Sequence, residues 1–262
     1  MSKILEEIVA FKRKEVAEFN QELPQVYLES RSEIIINNKC ASMSQSLSES
    51  ATGIIAEFKR KSPSLGWIKQ EATGKVIPLS YQKNGATALS ILTDAYFFGG
   101  SNAFIRTARM SGVYLPILYK NFIIDEYQIY QAKISGASAI LLIAACLTKE
   151  ECSRFITLAH QLRMEVLLEM HTEEETEYAE LGPDMCGINN RNLDTFETDV
   201  NTSLQLIGRL PADVVKVSES GISSPETVKQ LRAVGYRGFL IGEHFMKEAD
   251  PGAALNEFIA QL

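Results

Sequence analysis

The sequence predicts a closed (β/α)8 barrel with an N-terminal helical extension. Three observations predict it. First, eight short apolar segments recur: GIIAEFK (53–59), ALSILT (88–93), LPILYK (115–120), SAILLIA (138–144), EVLLEM (165–170), MCGINN (185–190), VVKVSES (214–220) and GFLIG (238–242). Second, their centres fall roughly 20 to 35 residues apart, the length of a β-α unit. Third, the stretches between them carry helical patterns with recognisable starts, and eight such units close most naturally into a barrel. An open doubly wound sheet is the alternative. A GxGxxG after the first strand would favour it, and that strand ends instead in KRKSPS.

The elements follow in order. Ile4, Leu5, Ile8, Val9 and Val16 space an amphipathic helix over the N-terminus, with the KRK run (Lys12 to Lys14) as its solvated face. Residues 1–50 read as one or two helices packed on the barrel, and 1–262 as one domain, with KCASMSQSLSESATG (39–53) as a polar connector. Helices are expected over Asp125 to Ser135 and over Thr148 to Leu162, where Thr148 and Glu151 fit a capping box. Thr172 and Glu175 repeat that arrangement after His171, which makes EEETEYAE (173–180) a helix with solvated carboxylates. Ser224-Pro225 sets a cap residue before a proline at the first helical position.

Composition narrows the function. The chain has 262 residues, 45% hydrophobic and 23% charged, as expected for a soluble globular protein. A net charge of -7 argues against a nucleic-acid surface or a polybasic membrane anchor. The longest apolar run, AILLIAACL (Ala139 to Leu147), is too short to span a bilayer. Cys40, Cys146, Cys152 and Cys186 form no CxxC, and His160, His171 and His244 form no HExxH. Isolated buried thiols in a reducing compartment, and a cytoplasmic location, are expected.

The chemistry gathers at strand ends. In the first strand Ile55, Glu57 and Lys59 share one face and Ile54, Ala56 and Phe58 the other. The apolar set is expected to face the surrounding helices, and Glu57 and Lys59 the barrel mouth. The third strand ends at Lys120 and the fifth at Glu169; the sixth carries Asn189 and Arg191. The seventh runs into Glu219, Ser220 and Gly221, and the eighth into Gly242 and Glu243. Singly, each reads as surface or turn chemistry. Together they form a ring at the carboxyl ends, where barrel enzymes place their sites. Glycines after the last two strands allow backbone N–H groups to approach a phosphate.

These segments resemble the indole-3-glycerol phosphate synthase family. The resemblance runs through IIAEFKRKSPS, LSILTDAYFFGGS, LPILYKNFIIDEYQIYQAK, AILLIA, EVLLEMHTEEE, GINNRNLDTFETD, VSESGIS and FLIGEHFM, in order, over nearly the whole chain after residue 50. It implies ring closure, decarboxylation and dehydration of 1-(2-carboxyphenylamino)-1-deoxyribulose 5-phosphate, with no metal or organic cofactor. It implies a phosphorylated small-molecule substrate, no nucleic-acid or membrane partner, and a monomer or weak homo-oligomer. Carried over by position, Glu57, Lys59, Lys120, Glu169, Asn189 and Ser220 match catalytic positions. Ser62, Pro63 and Arg191 match the surroundings of the anthranilate ring and carboxylate, Phe98 an aromatic wall, and Glu219 a substrate-binding position. Gly221, Gly242 and Glu243 match the phosphate cradle, Glu243 through its backbone N–H. Lys120 is expected to protonate the ketone oxygen, Lys59 to act as acid in dehydration and Glu169 as base, with Glu57 and Asn189 orienting them. Two departures stand out: Asn121 where the family usually has Asp, and Ala95-Tyr96 where charged residues are common. A barrel isomerase of the phosphoribosylanthranilate type would need a Cys near the first strand, and a binding-only barrel could dispense with Lys120 and Glu169. Both rank below the synthase.

Overall fold

The computed structural model describes residues 3–38, 40–192 and 195–262. Met1 and Ser2, Lys39 in the connector, and Leu193 and Asp194 in GINNRNLDTFETD lie outside the described residues. The strands are β1 (Ile54–Phe58), β2 (Ala88–Leu92), β3 (Ile117–Lys120), β4 (Ala139–Ile143), β5 (Glu165–Met170), β6 (Met185–Asn189), β7 (Val215–Glu219) and β8 (Gly238–Ile241). Each lies within its predicted apolar segment. Their sequence suits the geometry: parallel strands covered on both faces read as apolar runs rather than as alternation. All pair in parallel, and β8 returns to β1 with Ile54 opposite Phe239 and Ala56 opposite Ile241. That last pairing closes the barrel and excludes the open sheet.

The two faces of β1 divide as expected. Phe58 packs against Phe104 of the helix Asn102–Met110, ring centroids 5.3 Å apart, while Glu57 and Lys59 line the mouth. The helix Lys149–Gln161 has both halves of its capping box, and Ser224 caps Pro225–Val234 through the Thr227 N–H. After His171 the expectation fails in part. Thr172 accepts the Glu175 N–H, but the Glu175 carboxylate turns to the His171 N–H, and Glu174–Leu181 winds as a 3₁₀ helix.

Three helices precede the barrel among the described residues: α1 (Lys3–Glu22), α2 (Gln25–Ile34) and α3 (Met43–Glu49). The third replaces the expected polar connector. Its serines hide an apolar face, Met43 and Leu47, both fully buried against the amino-terminal end of the barrel. Glu165, the first residue of β5, holds it there. The carboxylate accepts the backbone N–H groups of Met43 and Ser44 at 2.6 and 3.0 Å and the hydroxyls of Ser42 and Ser44. At the other end, α1 lays Ile4, Leu5 and Ile8 over the carboxyl-terminal mouth.

Lys12 corrects the reading of KRK as a solvated face. It is 1% exposed, and its Nζ lies 2.5 Å from both Glu15 and the fully buried Asp94. A buried carboxylate needs such a partner, because uncompensated charge is costly away from water. The thiols need a smaller correction: Cys146, Cys152 and Cys186 are buried, but Cys40 is exposed.

Candidate active site

β3 and β7 end in Lys120 and Glu219, and β5 runs one residue past Glu169 to Met170; the three ionisable side chains meet at the barrel mouth. Lys120 Nζ donates to Glu169 Oε2 at 2.9 Å and to Glu219 Oε2 at 2.7 Å. Burial disfavours the ammonium, yet Glu169, Glu219 and Glu57 outweigh it and raise the Lys120 pKa. Burial likewise opposes a charged Glu169, but Lys120, His171 and Asn189 overcome it and hold the carboxyl well below its ordinary range. For Glu219 burial prevails, and its pKa rises to about 7 despite Lys120.

The neighbouring strands supply orientation. Asn189 Nδ2 donates to Glu169 Oε1 at 3.0 Å, and Asn189 Oδ1 accepts the Arg191 N–H. Lys59 lies 2.8 Å from Glu57 Oε1, and Ser90 donates to Glu57 Oε2 at 3.3 Å. Burial works against ionisation of Glu57, but Lys59 and Lys120 lower its pKa. The loop after β1 turns back as a short hairpin, Lys61–Ser62 against Gly66–Trp67, which carries Ser62 and Pro63 to the mouth.

All eleven residues expected to serve in catalysis or substrate binding line one cavity at the carboxyl-terminal mouth: Glu57, Lys59, Ser62, Pro63, Phe98, Lys120, Glu169, Asn189, Arg191, Glu219 and Ser220. Gly221, Gly242 and Glu243 line an adjoining cavity that shares Glu57, Lys59, Arg191 and Ser220 with the first. Ser220 has φ +67° and Gly221 φ +74°, so the chain turns left-handed after β7. Gly242 earns its place differently: a Cβ there would come within 2.6 Å of Glu57 Oε1. The Glu243 carboxylate turns to Lys247 at 2.6 Å and Arg191 at 3.5 Å.

Sequence reasoning missed part of this lining. Ile4, Leu5 and Ile8 roof the cavity from α1, and Phe122 and Phe196 add aromatic wall. The apolar stripe of α1 was a visible signal, but not its destination. His171 was also missed, though it stands just past the end of β5, two residues beyond Glu169. The departures find structural roles. Asn121 donates to Thr93 and accepts the Phe122 N–H. Tyr96 stacks on Phe11 of α1 at 4.6 Å, and its carbonyl accepts from Lys61.

The sequence profile of indole-3-glycerol phosphate synthase matches residues 5–258. The chain belongs to the indole-3-glycerol phosphate synthase family. Membership makes it a lyase of tryptophan biosynthesis and sets aside the isomerase and binding-only alternatives. It is 56% identical over the full length of both chains to an indole-3-glycerol phosphate synthase of Bacteroides thetaiotaomicron. A synthase of Polaromonas naphthalenivorans is 41% identical, again over both full lengths. Solved structures outside the family share the fold alone. A 3-hexulose-6-phosphate synthase from Salmonella typhimurium has TM-score 0.62 at 14% identity, over 80% of this chain and 98% of that one. A tryptophan synthase alpha subunit from Legionella pneumophila has TM-score 0.61 at 13% identity, over 84% and 95%. No helix among the described residues is long and apolar enough to cross a membrane.

Proposed function

We propose that the chain converts 1-(2-carboxyphenylamino)-1-deoxyribulose 5-phosphate to indole-3-glycerol phosphate, carbon dioxide and water, with Lys120 as the acid of ring closure. The observation that carries this reading is the Lys120 ammonium held between Glu169 and Glu219 at the barrel mouth. Two of its three N–H donors are engaged, which leaves one for the substrate ketone oxygen. As the aromatic carbon bonds to the ketone carbon, negative charge develops on that oxygen. The ammonium stabilises it and then protonates it.

Carbon dioxide leaves next, and the electrons of the breaking carbon–carbon bond restore the aromatic ring. Dehydration needs one proton given and one taken. Lys59 protonates the departing hydroxyl, and Glu169 removes the proton whose electrons form the new double bond. Glu57 holds Lys59, and Asn189 holds Glu169. Arg191, Ser62 and Pro63 surround the anthranilate end, with Phe98 as wall, while Glu219 keeps Lys120 in register. Backbone N–H groups around Ser220, Gly221, Gly242 and Glu243 receive the phosphate. The Glu243 carboxylate, already paired with Lys247 and Arg191, is thereby drawn off from it.

The assay is formation of indole fluorescence from the carboxyphenylamino substrate, and an intact fold without turnover overturns the function. Lys120→Met is expected to lower kcat by about 10²- to 10⁴-fold, the worth of a positioned general acid. Binding of a phosphate-bearing substrate analogue should remain measurable. Near-parental kcat would reject the acid assignment.

A further inference from the structure

One buried ionisable side chain outside those roles touches the proposed base directly. His171 follows β5, and its side chain is 9% exposed. Its Nε2 lies 3.3 Å from Glu169 Oε1 and its Nδ1 lies 3.4 Å from Glu175 Oε2. Neither contact has the alignment of a hydrogen bond, and the ring lies between the two carboxylates. Glu175 is fixed in turn, since its Oε2 accepts the His171 backbone N–H at 2.6 Å.

We propose that His171 is a positioning residue for Glu169: as an imidazolium it fixes Oε1 beside Asn189 and balances the negative charge shared by Glu169 and Glu219. The proposal rests on the role of Glu169 as base. A count of charges supports it. The three carboxylates Glu169, Glu219 and Glu175 have one ammonium among them, Lys120, while Glu57 and Lys59 offset each other. His171 supplies the second positive charge. Cys146, after β4, also adjoins Glu169 and Glu175, but burial raises its thiol pKa and keeps it neutral. Arg191, Glu197 and Asp199 line the polar cavity beside the ring. Burial opposes the charge of His171, yet Glu169 and Glu175 lift its pKa to about 10. Without that charge the site is left with excess negative charge, and a proton on the Glu169–Glu219 pair relieves it. Glu219, already at about 7, brings that protonation into the working pH range. A shared proton takes the base out of action.

The test compares kcat/KM against pH for the parent, His171→Gln and His171→Lys. Glutamine keeps a polar side chain without charge; lysine returns the charge. In His171→Gln the acid limb is expected to move up by about one pH unit, a roughly tenfold loss below the limb that fades above it. His171→Lys should move the limb back. A His171→Gln profile of parental shape, whether lowered uniformly or not at all, overturns the proposal, because a merely structural residue lowers activity alike at every pH. A second readout needs neither turnover nor a folded variant. The imidazole NMR signals of His171 in the parent should stay those of the charged ring through pH 8. Titration near the ordinary histidine value overturns the proposal even if the parent turns over its substrate, whereas a parent without turnover refutes the function itself.

Discussion

Glu219 has one carboxylate oxygen bonded to Lys120, while Oε1 meets no hydrogen-bond donor among the described residues and lies over Gly187. Burial therefore raises its pKa from 4.5 to about 7. A group that binds its proton more tightly when folded contributes its full stability below the unfolded value of 4.5. That contribution is lost as pH rises through about 7. Glu219→Gln is expected to remove this loss, so denaturant unfolding should show the variant gaining on the parent between pH 4.5 and 7.5, about half a unit beyond the raised value. A constant gap would refute the assignment. Glu57 has the opposite sign, because its lowered pKa contributes stability above 4.5 that is lost on acidification. Residues of this kind were legible in the sequence wherever strand alternation and a strand end coincide, as at Glu57, Lys120 and Glu169. Lys12 was not legible. A lysine within KRK on an amphipathic helix looks solvated until Asp94, far along the chain, is brought beside it.

The N-terminal helix and the loop after β2 form one assembly at the next scale. Asp94 Oδ1 accepts the N–H groups of Phe97 and Phe98, while its other oxygen meets Lys12. A single carboxylate therefore shapes the loop bearing Phe98 and anchors the helix that roofs the cavity. Phe11 and Tyr96 stack beside this pair. Lys12→Met is expected to lower stability by about 3–5 kcal/mol, since it strands a buried charge. Adding Asp94→Asn should recover much of the loss, because an amide oxygen still accepts from Phe97 and Phe98. KM should rise more than kcat falls in Lys12→Met, since the roof lines the proposed substrate cavity without carrying an ionisable group into it. Additive unfolding energies in the double variant would refute the pairing. Helix α3 was hidden for a different reason. Its two buried side chains are too few to show against serines, and its anchor, Glu165, lies in another element.

Across the whole molecule, the ionisable machinery sits at the carboxyl ends of the strands and the α3 plug at their amino ends. This division yields a separable prediction. Glu165→Ala leaves the N–H groups of Met43 and Ser44 without their acceptor and should lower stability by about 1–3 kcal/mol. At temperatures where the variant stays folded, kcat should match the parent, and a large fall in kcat would show that the two ends are not independent. The barrel itself was legible because β-α spacing leaves few ways to close eight parallel strands. The roof was not, because hydrophobic periodicity tells which face of a helix is covered but not by what.

The strand β5 carries both ends of this division. Glu165 holds the plug, Glu169 reaches Lys120 at the mouth, and His171 follows two residues on. At about 3.3 Å per residue the strand is a measuring rod of fixed length between floor and mouth. An inserted or deleted residue between Glu165 and Glu169 would turn one of them outward, whichever end kept its place. The segment EVLLE therefore tolerates exchange of its leucines far better than any change in its number of residues.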